Sequence, residues 1–115
     1  AASDVYKRQF YKLYVNGKCQ FDEFYEKVCS IPTDKKCMAG LLALMEAFGV
    51  TKLPNTKFRQ IVNVKRPDVF EFKKNKLRIY IVFQEPSVYI VMGGYKNTQR
   101  KDIASLEQKI KGFKK

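Results

Sequence analysis

The residue pattern predicts an α+β domain: a small antiparallel sheet in meander order, an N-terminal helical hairpin before it and a C-terminal helix after it. Three observations carry that prediction. After Arg66-Pro67-Asp68, apolar and polar residues alternate in short runs, the period of a half-buried strand. Two segments before that point repeat their apolar residues at the spacing of a helix face: Phe21, Phe24, Tyr25 and Val28, then Cys37, Leu41, Leu44, Met45 and Phe48. The same spacing returns in Ile103, Leu106, Ile110 and Phe113.

Taken in order, Phe10, Tyr11, Leu13, Tyr14 and Val15 form an aromatic and β-branched run, and Asn16-Gly17 closes it as a tight turn. The first helix follows on its Phe21 face. Pro32 breaks the chain, Thr33 is the expected N-cap of the second helix, and Gly49 sits where a C-terminal cap falls. Gly40 weakens that helix and leaves room for the first helix to approach. Phe58 to Val64 is expected as an irregular strand. Val69 to Lys73 alternates, Lys74-Asn75-Lys76 turns the chain, and Leu77 to Phe83 alternates again. Glu85-Pro86-Ser87 makes a second turn. Val88 to Met92 is the next strand, ended by Gly93-Gly94, and the last helix is expected after Asp102 with all helices on one face of the sheet.

A chain of 115 residues, 45% hydrophobic and 14% aromatic, is long and apolar enough for one domain with a real core. Residues 1–9 are expected to be a non-native or disordered leader and 10–115 the single domain. Leu41 to Met45 and Ile79 to Phe83 are far too short to cross a bilayer, and no basic-then-apolar segment opens the chain, so no membrane partner and a cytoplasmic location are expected. Cys19, Cys29 and Cys37 form no C-x-x-C pair and the chain has no His, so neither metal nor cofactor is expected, and Cys29 and Cys37 are expected to pack as small hydrophobes. Without His there is no Ser-His-Asp or Cys-His site. Acid–base chemistry must fall to Lys, Arg, Tyr and carboxylates.

The charge is unevenly placed. Residues 1–51 carry a net +1, residues 52–115 a net +11, together the +12 of the chain. Such an excess repels itself unless a polyanion or an acidic protein meets it. Strand alternation puts Glu71 and Lys73 on one face of the hairpin with Arg78 and Tyr80, and the loop from Tyr95 to Arg100 can overhang it. Singly, each has a plain reading: an ordinary cross-strand ion pair between Glu71 and Arg78, solvated lysines beside a turn, tyrosines covering an edge. Together they suit RNA transesterification, in which a 2′-OH attacks the adjacent phosphorus. Arg78 can hold two phosphoryl oxygens of the phosphorane in its fork. Lys73 or Lys96 can act as base or acid if neighbouring cations lower its pKa. Tyr95 can stack on an unpaired base or pass a proton, and Glu71 is a weaker candidate base.

Asp68-Val69-Phe70-Glu71-Phe72-Lys73, Leu77-Arg78-Ile79-Tyr80-Ile81-Val82 and the stretch from Ile90 through Gly93-Gly94-Tyr95-Lys96-Asn97-Thr98-Gln99-Arg100 to Ile103 resemble the RelE/HigB toxins of bacterial type II toxin–antitoxin pairs. The resemblance covers roughly residues 10–113, and the last loop and helix carry most of it. It implies a RelE-like fold and a small mRNA interferase that cleaves mRNA on the ribosome and is silenced by an antitoxin protein. Its catalytic positions fall on Lys73, Arg78, Tyr95 and Lys96, and Arg59, Lys65, Arg66, Lys74 and Arg100 are the expected contacts to phosphate or rRNA. A His that several relatives place at the end of the third strand is absent here, with Gly93 in its neighbourhood, and the loop after Gly94 is a residue shorter than in many relatives. Two other readings stand beside cleavage: a ParE-type inhibitor of DNA gyrase on the same fold, expected to be less basic on the sheet, and a non-catalytic module that uses a basic groove for RNA or an acidic peptide.

Overall fold

Asn75 turns the chain with a φ of 51°, and the alternating runs on either side of it zip together as β3 (Val69–Lys74) and β4 (Leu77–Gln84). These and all other contacts come from a computed structural model that describes residues 7–111. On the far side of β4, β5 (Ser87–Tyr95) returns antiparallel, and β2 (Phe58–Gln60) pairs antiparallel with β3. β1 (Gln9–Lys12) lies parallel against the other edge of β5, so the order across the sheet is β1-β5-β4-β3-β2. The protein is thus α+β, with five strands in a mostly antiparallel sheet and three helices among the described residues. A simple meander does not describe it. β2 through β5 follow one another in space, but the first strand crosses to the far edge, a non-local pairing that alternation cannot reveal.

The helices also depart from expectation. α1 (Gln20–Cys29) and α2 (Pro32–Phe48) cover one face of the sheet, burying Phe21, Phe24, Val28, Met38, Leu41 and Phe48 against Phe72, Ile79, Ile81 and Ile90. α3 (Gln99–Ile110) covers the opposite face, where Leu106 and Ile110 pack on Val69, Tyr80, Val82 and Met92. Each aliphatic side chain so buried contributes about 1.5–3 kcal/mol. Helices on both faces replace the expected single layer, and Glu71, Arg78 and Tyr80 are buried.

Local corrections are smaller. Pro32, not a residue after Thr33, opens α2, with Ile31 as its N-cap, because the proline lacks the N–H that the first turn leaves unpaired anyway. Gly40 faces the Lys74 side chain rather than α1: a Cβ there would strike Lys74 Cε. The strand expected to stop at Gly93-Gly94 runs through both glycines to Tyr95, and α3 begins three residues before Asp102. Asn16 and Gly17 make the expected tight turn at positive φ, bridged by Val15 and Lys18, but β1 ends before it. Arg8 and Gln9 fall in the stretch expected as leader, yet both are built into the fold. The Arg8 guanidinium donates to the carbonyls of Phe48 and Thr51 at 2.7 Å each and meets Glu85 at 3.0 Å. Residues 1–6 of that leader, and Phe113 at the end of the last helix, lie outside the described residues. No helix among the described residues is long and apolar enough to cross a membrane.

Candidate functional site

Strand register decides which predicted residues meet. Across β3, β4 and β5, Lys73 pairs with Arg78 and Arg78 with Gly94; one rung further, Lys74 pairs with Leu77 and Leu77 with Tyr95. The Lys96 N–H then donates to the Lys76 carbonyl at 2.8 Å, which ties a 3-10 turn over Lys96–Thr98 to the β3–β4 turn. Lys73, Arg78, Tyr95 and Lys96 therefore fall at one end of the sheet, joined there by Lys74 and Lys76. That end is the most basic part of the strand layer.

The two faces of this end differ. On the α3 side, Glu71, Arg78 and Tyr80 were expected on an open surface, and the structure buries them: Glu71 and Tyr80 at 0% exposure, Arg78 at 7%. The reason is α3, whose first residue, Gln99, donates its amide to Glu71 Oε1 at 2.6 Å. Glu71 Oε2 accepts from Arg59 Nε, also at 2.6 Å. The cross-strand pair imagined between Glu71 and Arg78 is the looser contact, with Arg78 Nε 3.9 Å from Oε1, because register sets Glu71 between Arg59 and Tyr80. Arg78 instead folds back over its own turn, donating from Nη1 to the carbonyls of Asn75 and Leu77 at 2.8 Å each, while its Nε makes no hydrogen bond. The Tyr80 hydroxyl is buried without a partner, and burial, reinforced by the nearby Glu71 charge, raises its pKa. Among the described residues neither Lys73, half-buried beside Arg78, nor exposed Lys96 has an ion-pair partner.

Tyr95 lies on the other face. Its ring meets Phe24 edge-on at a centroid distance of 5.5 Å, and Lys27 Nζ stands 5.8 Å from its centre. Beneath it, in the first turn of α2, Asp34 is 2% exposed and ion-paired to Lys76 Nζ at 2.6 Å. The hydrogen bond to Asp34 holds the Lys76 pKa above its usual value. Burial, then the Asp34 charge, raises that of Tyr95. Asp34 went unnoticed in the sequence because an acid in a first helical turn is explained by the helix dipole alone. Only tertiary contact reveals its second task.

The glycines before Tyr95 are packing devices. A Cβ on Gly93 would collide with the Phe24 ring, and one on Gly94 with the Asp102 carboxylate, which accepts a hydrogen bond from Thr98 Oγ1 at 2.8 Å. At Gly93, any side chain would have to displace the Phe24 ring.

The expected RNA contacts are scattered. Arg59 and exposed Arg100 flank a groove of about 440 Å³ between β2 and α3, whose apolar wall includes Ile61 and Ile103. Lys65 and Arg66 line a neighbouring groove of about 480 Å³ towards the end of α3. There Arg66 is held by Asp68 at 2.8 and 3.0 Å and donates to the Ile110 carbonyl. Lys74 lies on the α2 side, its stem against Gly40 and its carbonyl accepting from Cys37 Sγ at 3.2 Å. Among the described residues no three of Cys, Asp or Glu come together at metal-ligand spacing. No protein-family model matches this chain, and no curated protein matches it either.

Among the described residues Lys73 and Lys96 carry no ion pair, so with Arg78 they leave an excess of positive charge at this end of the sheet, and on the other face the Tyr95 ring lies beside Lys27.

Proposed function

We propose that this protein is the toxin of a type II toxin–antitoxin pair, an mRNA interferase of the RelE/HigB kind that cleaves mRNA on the ribosome by metal-independent attack of a 2′-OH. One observation carries the reading: Lys73, Arg78, Tyr95 and Lys96, which the resemblance singles out, converge within two rungs at the most basic end of the sheet. The coarse α+β architecture, with two helices before the run of antiparallel strands and one after it, is compatible with the fold that the resemblance implies. In this reading Lys96 and Lys73 face the scissile phosphate and move the protons. Arg78, fixed below them, supplies a stationary positive charge to the phosphorane rather than an exposed fork. Tyr95, with its phenol turned to Asp34, stacks on a base instead of relaying a proton. The cytoplasm is the compartment where such a protein meets ribosomes, and an acidic antitoxin is the partner that would neutralise its basic half.

Induced expression beside Lys73→Met and Lys96→Met, with primer extension on cellular mRNA, tests this. New in-frame cuts and growth arrest that disappear in the variants are expected. Arrest without cuts would move the target to gyrase. The burial of Arg78 favours a second reading, a non-catalytic basic module, which is what an inert wild type that still binds RNA would indicate.

A further inference from the structure

Away from that end, where β2 and β3 pass the end of α2, four phenylalanines gather. The Phe58 and Phe70 rings lie parallel, 2° apart in plane with centroids at 4.9 Å, and Phe83 stands edge-on to Phe70 at 5.7 Å. Phe48 and Phe58 are buried, whereas Phe70 and Phe83 are half-buried and line a cleft of about 820 Å³. The cleft also carries Arg8, Lys52 and Arg59, and no carboxylate is among its lining residues. Arg8 is held by Glu85 and Arg59 by Glu71, but exposed Lys52 has no ion-pair partner among the described residues.

Core packing accounts for Phe48 and Phe58. Phe70 and Phe83 also pack against that core, but both stay half open beside three cations. A protein anchor is best held in an enclosed apolar pocket. Flat rings bordered by cations match single-stranded nucleic acid instead, because every base has a π-face and every linkage a phosphate. We propose that this cleft is a second RNA contact, in which an unpaired base stacks on Phe70 with Phe83 against its edge and its flanking phosphate meets Lys52 and Arg59. The proposal rests on the RNA-directed reading above and extends it to a stretch of strand remote from the scissile linkage. Stacking tolerates any base, so the contact adds affinity and not sequence preference.

The test uses the full chain and a short 2′-O-methyl RNA bearing 2-aminopurine, which lacks the attacking hydroxyl and cannot be cut. Saturable quenching of the fluorescent base is expected on titration with wild type. Phe70→Leu, which keeps the apolar packing, is expected to abolish most of the quenching and weaken binding about tenfold, in the range of one base–aromatic stack. Lys52→Glu, on the exposed surface, is expected to weaken binding several-fold and to flatten its salt dependence. If Phe70→Leu lowers the melting temperature, Lys52→Glu decides alone. Unchanged quenching and affinity in the deciding variant would overturn the proposal, as would an acidic peptide occupying the cleft when RNA does not. Quenching that the variants lose, from a protein that cuts no mRNA, would leave the cleft standing and remove the cleavage reading. Cutting by wild type with unaltered binding in both variants would do the reverse.

Discussion

Glu71 is paired more closely with Arg59 across the β2–β3 rung, at 2.6 Å, than with Arg78, 3.9 Å away, and the carboxylate is wholly buried. Its other oxygen is taken by Gln99 from α3. One side chain thus joins the edge strand, the central hairpin and the last helix.

Removing that carboxylate leaves the Arg78 guanidinium buried beside an apolar void. Glu71→Ala should lose about 3–5 kcal/mol, the cost of breaking a buried pair from one side. Arg59→Ala, whose side chain is half exposed, should lose about 1 kcal/mol or less. Urea unfolding of both variants checks this, and equal losses would show that the edge arginine, not the buried acid, governs the contact.

Gly93→Ala and Gly94→Ala each place a methyl group where Phe24 or Asp102 already sits. Forced shifts of this kind cost about 1–3 kcal/mol. Phe24 is core and Asp102 the side chain of a helix start, so Gly93→Ala should be the worse of the two by thermal melting. A Gly93→Ala protein as stable as wild type would mean that the Phe24 ring moves aside freely.

Tyr80 offers the opposite case. Its hydroxyl is buried with no partner, so Tyr80→Phe should leave stability unchanged or raise it by about 1–2 kcal/mol, the desolvation cost removed. The folded phenol has a raised pKa. Stability linked to it is therefore complete below the ordinary value near 10 and lost as pH rises above it. The alkaline decline in melting temperature should be shallower in Tyr80→Phe; an identical decline would assign it to other groups.

Asp68 governs the acid side. Burial alone would raise its pKa, but hydrogen bonds from Arg66 and Gln84 outweigh burial and hold the carboxyl below its ordinary value of 3.8. A folded value below the unfolded one means stability present above the unfolded pKa and lost as pH falls through the folded one. Asp68→Asn should remove part of the stability loss below about pH 4. Melting curves for both proteins from neutral to strongly acid pH give the comparison, and parallel curves would exclude this carboxylate.

Much of this arrangement was legible in the residues. The alternation on either side of Asn75 located β3 and β4, and the spacing of Phe21, Phe24 and Val28 picked out the buried side of α1. Alternation, however, says only that Glu71, Arg78 and Tyr80 share a face. It does not say whether that face meets water. Their polarity suggested that it does, but α3 arrives from a distant part of the chain and their polar atoms are buried beneath it. Gly93 and Gly94 read locally as a strand end, because a need for close approach by Phe24 and Asp102 leaves no trace in neighbouring residues. The convergence of Lys73, Arg78, Tyr95 and Lys96 on one end followed from strand order. Tyr95 was expected to overhang the Arg78 face, and its separation from Arg78 by the thickness of the sheet comes from the bulge in β5 between the partners of Tyr80 and Ile81, which shifts side-chain parity.

The parallel docking of β1 has a consequence for how the chain assembles. β2 to β5 pair with near neighbours in sequence, and loops that short close at small entropic cost. β1 must wait for β5, which lies most of the chain away, so its pairing carries the largest loop-closure cost in the sheet. Amides of β1 should accordingly exchange with solvent at a lower opening free energy than those of β4, and earlier still once Arg8 no longer fastens the strand to the end of α2. Among the described strands, β1 is expected to be the last to join the sheet.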